Sequence, residues 1–369
     1  IFDGILGQGF RAPLSAELRA FLRATDALRG LRIAVDLPSG LGDDASGPAF
    51  RADLTVSIGC LKRPLLSPKA ARFVGRLRVL DIGLPLGETE EACVTDEALA
   101  PLRRPRRARS DKRHQGRLLI VGGSDRMPGA VLMNTAAALR AGAALVTACL
   151  PESVRAKAAV AYPEAMWRGL ATVRDGTIAS SGAKAIRALA AGQDALLIGS
   201  GMGERAAKLI GAVVARAAPA LVLDADALRP SVMNASQDAQ VRVLLPHAGE
   251  FKRLSGRDAS PAAARAYARR TKSIVALKGP LTCVTDGVRT LHVPFGGPVL
   301  ARGGSGDLLA GIVASVLARR AELGLGAFDA VVLATTWHAR AADRLRETHG
   351  EEAVRTTDLL AGLSPALRG

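Results

Sequence analysis

Apolar and polar positions along the chain follow two periods. Leu31-Arg32-Ile33-Ala34-Val35-Asp36, Leu54-Thr55-Val56-Ser57-Ile58 and Leu77-Arg78-Val79-Leu80-Asp81-Ile82 read as strands, while residues 14–28 repeat their apolar positions at helical spacing. The opening Ile1-Phe2-Asp3-Gly4-Ile5-Leu6-Gly7 reads as a buried strand already under way without a starting Met, so the front of a domain is expected to lie outside the sequence. From Gly116 the pattern becomes regular. Strands are predicted at 116–123, 144–149, 195–199, 220–223, 241–245 and 273–277, with a helix over 127–142. Strand–helix alternation of this kind predicts the α/β class with parallel sheets. Two domains are expected, residues 1–88 and 114–369, joined by a linker over 89–113; the second is a three-layer sandwich of about 250 residues.

Composition changes this picture little. A chain of 369 residues with 49% apolar positions and 39 glycines suits a soluble α/β protein. A net charge of +16 raises nucleic acid as a partner, but aromatic residues make up only 3% and arginine is spread widely, so none is expected. The densest basic run, Arg103-Arg104-Pro105-Arg106-Arg107-Ala108-Arg109, falls in the linker and reads as a solvated stretch. Cys60, Cys93, Cys149 and Cys283 lack the spacing of a zinc site or a disulfide framework, which points to a reducing cytoplasm. No run of 18 apolar residues suggests a membrane partner.

Candidate chemistry concentrates where strands end. Ala301-Arg302-Gly303-Gly304-Ser305-Gly306-Asp307 opens directly into the apolar helical run Leu308-Leu309-Ala310-Gly311-Ile312. Glycines let the backbone approach an anion, the helix start presents N–H groups to it, and Asp307 stands beside it as a base toward a hydroxyl. Four more clusters follow predicted strands: Gly199-Ser200-Gly201-Met202-Gly203, Asp224-Ala225-Asp226, Pro246-His247-Ala248-Gly249-Glu250 and Lys278-Gly279-Pro280-Leu281-Thr282. All would gather at the carboxyl edge of a parallel sheet, where nucleotides and substrates bind. Each has a plain structural alternative: Asp224 and Asp226 as caps, Glu250 as the cap of its own helix, Lys278 as a strand-end lysine packed along the sheet.

The order GGS, MPGA, ALRAGA, GxGxG, LDADAL, PHxGEF, LKGxxT and GGSGDxLAG over residues 110–365 resembles the carbohydrate-kinase-like domain of the NAD(P)H-hydrate dehydratases, a ribokinase-like branch. The front segments Asp3-Gly4-Ile5-Leu6-Gly7-Gln8-Gly9, Ala34-Val35-Asp36-Leu37-Pro38-Ser39-Gly40, Leu61-Lys62 and Val79-Leu80-Asp81-Ile82-Gly83-Leu84-Pro85 resemble the back half of the Rossmann-like NAD(P)H-hydrate epimerase domain. That is the domain order of bifunctional nicotinamide-nucleotide repair enzymes. The resemblance implies that NADHX and NADPHX are substrates, with ADP or ATP as phosphoryl donor and Mg²⁺. It implies Asp307 as the catalytic acid that touches the hydrate, Ala130, Gly201 and His247 as further hydrate contacts, and Lys278, Gly279, Pro280, Leu281, Thr282, Gly304, Ser305 and Gly306 as the nucleotide site. In the front domain it implies K⁺ at Asp3 and Ser39, and substrate contacts at Gly7, Gly9 and Asp36. The NNxGDG loop that completes this front site is absent, so epimerase activity is not expected of the chain as given. Relatives of the second domain form tetramers, which implies a homo-oligomer. His114 and Gly116 match an HKG motif with Gln115 at its centre; Ser200, Ala144 and Arg302 also depart from the family's usual residues. The competing reading is a vitamin-precursor kinase of the same fold, of hydroxyethylthiazole or hydroxymethylpyrimidine type.

Overall fold

The computed structural model describes residues 1–11, 13–43, 47–84, 87, 89–105, 116–215 and 220–368. Arg106 to Arg109 of the basic run and His114 and Gln115 of the entry motif lie outside the described residues. The chain divides into two compact units: residues 1–93 with 280–282, and residues 94–279 with 283–369.

In the first unit, strands β1 (Phe2–Asp3), β2 (Ile33–Val35), β3 (Leu54–Ile58) and β4 (Arg76–Leu80) form a parallel sheet in sequential order. Successive side chains point to opposite faces of a strand. The face carrying Asp3, Ala34, Thr55 and Ser57 is buried. The face carrying Phe2, Val35 and Leu80 is exposed, with Phe2 at 77%. The helix Ala16–Thr25 starts at Ser15, whose hydroxyl accepts the Leu18 N–H, and buries Leu22. The short strand β5 (Glu91–Cys93) ends this unit.

In the second unit, β6 (Arg117–Val121), β7 (Leu145–Pro151), β8 (Met166–Leu170), β9 (Ala195–Ile198), β10 (Ala220–Leu223), β11 (Val241–Leu244), β12 (Ile274–Leu277), β13 (Thr282–Thr285) and β14 (Thr290–Val293) run in the spatial order 14-13-12-11-10-9-6-7-8. From β12 to β8 every pairing is parallel, and β13 returns antiparallel to β12. The central strands are apolar throughout because helices cover both faces. Leu118, Ile120, Leu197, Val222 and Val243 pack toward the helices Pro128–Arg140, Ser305–Ala318 and Ala327–His349. Leu119, Val121, Leu196, Ile198 and Leu221 pack toward Ala183–Ala190, Ala207–Val214, Ala248–Ser255 and Pro261–Thr271.

Structure also occupies part of the predicted linker: β5 and the short helix Ala100–Arg103 fall within it. Val94 and Leu99 are buried in the core of the second unit, and that burial holds the stretch in place. Strands β8, β13 and β14 were not foreseen. β8 exposes Met166 and Arg168, half-buries Trp167 and Gly169 and buries only Leu170, so its sequence offers no apolar run.

Candidate functional site

The order of strands reverses between β6 and β9, the place where open parallel sheets form a ligand crevice. The Gly123 N–H bonds Ser200 O there at 2.8 Å, joining the two strand-end loops. A Cβ on Gly201 (φ 65°) would lie 2.7 Å from Ala130 Cβ, so these two predicted hydrate contacts touch. Gly199 approaches even closer: its Cβ would meet Asp224 O at 2.0 Å, so only glycine fits.

Lys278 and Asp224 follow the ends of β12 and β10, and Glu250 lies in the first turn of the helix after β11. Lys278 Nζ is 3.0 Å from Asp224 Oδ1 and 3.8 Å from Glu250 Oε2. Ser200 Oγ donates to Asp224 Oδ2 at 3.2 Å. Burial disfavours the Lys278 ammonium, but the charges of Asp224 and Glu250 outweigh it and hold its pKa above the usual lysine value. Asp226 does a different task, accepting the Gly203 N–H at 2.7 Å and so fixing the glycine loop.

Asp307 completes the cluster. It is the third residue of the helix Ser305–Ala318, whose N-cap Gly304 has φ 87°. Helix geometry leaves the N–H groups of Gly306 and Asp307 without intrahelical acceptors, and the Ser305 N–H bonds Arg302 O at 3.2 Å. A Cβ on Gly306 would stand 3.3 Å from Lys278 Nζ, which puts the ammonium beside this N–H cradle. Burial pushes the Asp307 carboxyl up to about 6; the Asp224 charge adds to that, Lys278 and the Ser200 hydroxyl oppose it, and Glu250 adds a little. A carboxylate with that pKa, next to anion-binding donors and a cation, is equipped to take a proton from a hydroxyl near neutral pH.

His247 caps the helix Ala248–Ser255. Its Nδ1 accepts the Gly249 and Glu250 N–H groups at 3.0 and 3.3 Å, and Glu250 accepts the His247 N–H at 2.8 Å. The resemblance implies a hydrate contact for His247. The structure gives the ring a capping role through Nδ1 and places Nε2 3.4 Å from Glu250 Oε1. Glu250 caps as its alternative predicted. Of the segment 278–282, Lys278 and Gly279 belong to the second unit, whereas 280–282 group with the first and Thr282 opens β13. The segment is thus the turn of the hairpin between β12 and β13.

Two residues escaped the sequence reading. Asn134 lies in the helix Pro128–Arg140, one turn beyond Ala130, and its Nδ2 donates to Asp307 O at 2.7 Å. Its spacing from Ala130 was the available signal. His338 is fully enclosed in Ala327–His349, and burial, then the Lys278 charge, drives its pKa down to about 4. A histidine within an alanine-rich helix carries no sequence signal of that proximity.

In the first unit, Asp3 and Ser39 do meet. The Ser39 N–H and hydroxyl both donate to the Asp3 carboxylate, at 2.7 and 2.6 Å, and the Leu6 N–H donates to Ser39 Oγ at 2.9 Å. Asp36 takes a left-handed backbone, φ 70°, and its carboxylate accepts the Ile58 N–H and the ammonium of buried Lys62. Gly7 and Gly9 sit in an open turn closed by Phe10 N–H to Gly7 O.

A three-layer parallel sandwich with a glycine-rich anion loop and an acid at its carboxyl edge defines an α/β enzyme of ribokinase-like type. Comparison with known proteins narrows the class. Residues 118–364 match the family model for NAD(P)H-hydrate dehydratase, and residues 1–64 match that for the YjeF-related protein N-terminus. The chain is 32% identical over 387 residues to the bifunctional NAD(P)H-hydrate repair enzyme Nnr of Thermosynechococcus vestitus, covering 100% of this chain and 75% of that protein. It is 35% identical to the enzyme of the same name from Gloeobacter violaceus, covering 99% and 74%. The ADP/ATP-dependent NAD(P)H-hydrate dehydratase of Bacillus subtilis, co-crystallised with ATP and Mg²⁺, superposes with TM-score 0.62 at 25% identity, over 74% of this chain and 96% of that one. A ribokinase-like protein of Enterococcus faecalis shares the fold, with TM-score 0.64 at 23% identity over 77% and 98% of the two chains. The chain belongs to the family of bifunctional NAD(P)H-hydrate repair enzymes, and residues 118–364 are its NAD(P)H-hydrate dehydratase region.

Proposed function

We propose that the second unit restores hydrated NADH and NADPH by transferring a phosphoryl group from ADP or ATP to the hydrate hydroxyl, with Asp307 as base. The observation that carries this reading is the Asp307 carboxyl, its pKa raised to about 6, beside the open N–H groups of the helix Ser305–Ala318 and the Lys278 ammonium. Asp307 removes the hydroxyl proton as the oxygen attacks the terminal phosphorus, and the N–H groups of Gly306 and Asp307 stabilise charge on the transferring phosphoryl. The lone pair of the ring nitrogen then expels phosphate from the carbon bonded to it, giving an iminium, and loss of a proton from the next carbon to the departing phosphate or solvent re-forms the ring double bond. Ala130 and Gly201 shape the hydrate side of the cleft, and His247 is a further hydrate contact as the resemblance implies; Gly304 and Ser305 line the phosphate side, and Lys278 and Gly279 face the donor. Pro280, Leu281 and Thr282 extend the donor site as the resemblance implies.

Among the described residues no group of three His, Cys, Asp or Glu side chains is arranged to hold a metal. Mg²⁺ binds through one or two carboxylates plus substrate phosphates, so Asp224 and Glu250 would hold it jointly with the nucleotide, where it would neutralise phosphate charge. K⁺ belongs to the first unit, at the oxygens of Asp3, Ser39 and Leu6; hard oxygen donors suit it. No helix of the described residues is long and apolar enough to cross a membrane. No disulfide joins the four cysteines among the described residues, in keeping with a reducing cytoplasm. A homo-oligomer, up to a tetramer, is read from the resemblance and is checked by light scattering on the purified protein.

The test mixes purified protein with both NADHX epimers, Mg²⁺ and either ADP or ATP, and follows the return of the NADH absorbance. Nucleotide-dependent recovery that falls about a hundredfold or more in Asp307→Ala is expected. Recovery without nucleotide, or equal recovery in the variant, overturns the assignment. Inertness toward the hydrates together with phosphorylation of vitamin-precursor alcohols would replace it with the kinase reading.

A further inference from the structure

The anion loop has little stiffness of its own. Gly303 and Gly304 stand side by side between the short turn Gly297–Leu300 and the helix Ser305–Ala318, and Gly304 adopts φ 87°. Paired glycines populate many backbone states, so donors that must meet a phosphoryl group within a few tenths of an ångström need external support. That support comes from 49 to 53 residues downstream, after the long helix Ala327–His349 has ended at Gly350.

Thr356 Oγ1 donates to Gly303 O at 2.7 Å. The Arg302 guanidinium reaches the same downstream segment from the other side, donating through Nη2 to the carbonyls of Glu351 and, at 3.3 Å, Glu352. Both contacts use main-chain carbonyls, which orient the donors without cancelling the arginine charge. Gly304 is closed in as well: a Cβ there would stand 2.6 Å from Met133 Sδ and 3.3 Å from Thr356 Cγ2. Thr356 is itself fixed, because the turn Thr356–Asp358 is held by the Arg355 N–H to Asp358 Oδ2 at 2.8 Å. The next helix, Leu359–Gly362, lies so close to Ala341 that a Cβ on Gly362 would meet Ala341 O at 2.6 Å.

The geometry points to Arg302 and Thr356 as positioning residues: residues 350–358 form a clasp that holds the Gly303–Gly304 backbone so that the following N–H groups aim at the transferring phosphoryl. This rests on the phosphoryl-transfer reading above. Neither side chain is asked to touch the nucleotide, and Arg302, one of the departures from the family's usual residues, acquires a defined task. A hydrogen bond of this kind contributes enough to change binding by up to about tenfold when removed.

The experiment compares Thr356→Val, Thr356→Ser, Arg302→Met and the double variant Arg302→Met/Thr356→Val with wild type. Steady-state kinetics are run with ADP and ATP, and ADP binding is measured separately by calorimetry. Thr356→Val is expected to weaken ADP binding and raise the nucleotide KM about fivefold to tenfold, with a further fall in kcat, while the KM for the hydrate stays within about twofold. Thr356→Ser, which keeps the hydroxyl, restores both values. The double variant loses less than the product of the single losses, because both contacts hold one loop. Unchanged ADP binding and KM in Thr356→Val overturn the clasp. So does a fall in melting temperature in both Thr356 variants with no separation between Val and Ser, which marks a purely structural contact. Because calorimetry needs no turnover, weakened ADP binding in an enzyme inert toward the hydrates would leave the clasp standing and remove only the dehydration chemistry.

Discussion

Asp307 works against its surroundings. Its carboxyl is raised to about 6 by burial and by the Asp224 charge, with Lys278 pulling the other way. The base form is the active one, so kcat/KM should climb about tenfold per pH unit below 6 and level off above it. Lys278→Met removes the cation that favours the ionised form and should move that midpoint upward; a pH–rate profile of both proteins checks the direction, and an unmoved or lowered midpoint contradicts it. Stability runs the opposite way at this residue. Between the ordinary 3.8 and about 6, native Asp307 still holds a proton that the unfolded chain has released, so its contribution to stability falls as pH rises through that window. Much of this was legible from residue type and order: Asp307 after GGSG, and lysine, aspartate and glutamate at strand ends. That Asp224 pairs with Lys278 while Asp226 fastens Gly203 was not legible, because the two acids differ only in which way a turn directs them.

Among the elements, the helix Ser305–Ala318 carries the most consequence. It is buried along almost its whole length, and at Gly311 it crosses Pro128–Arg140 so closely that a Cβ would lie 2.3 Å from Asn134 O. Gly311→Val should therefore cost about 3 kcal/mol of stability by overpacking, seen as a lower denaturant midpoint. Asn134 also holds Asp307 O, so the same substitution should lower kcat in the fraction that stays folded. A variant as stable and active as wild type would show that the two helices part without consequence. The apolar period revealed this helix and most of the parallel strands, since each buries a continuous apolar surface. It did not reveal β13 and β14, four-residue strands that follow a turn and whose pattern is shared with many loops.

For the whole molecule, β1 to β4 form one sheet, and the Lys278–Asp224 pair stands at strand ends of the other. A fragment of residues 89–369 is expected to keep nucleotide-dependent NADH recovery, with kcat within about threefold of the full chain; loss of activity in a folded fragment, judged by circular dichroism, would show that the first unit contributes to the dehydratase site. The first unit leaves Phe2, Val35 and Leu80 exposed on one side of a parallel sheet, an arrangement such sheets ordinarily cover. By itself the sequence determined the class of fold, the strand-end placement of the chemistry and the acid after the glycine loop, because these follow from local periodicity and from residue types that only glycine or a carboxylate can supply. Tertiary structure alone decided the pKa of Asp307, the partner of Lys278, the proximity of His338 and the Thr356 clasp. Those depend on burial and on contacts between residues far apart in the chain, which no local pattern encodes.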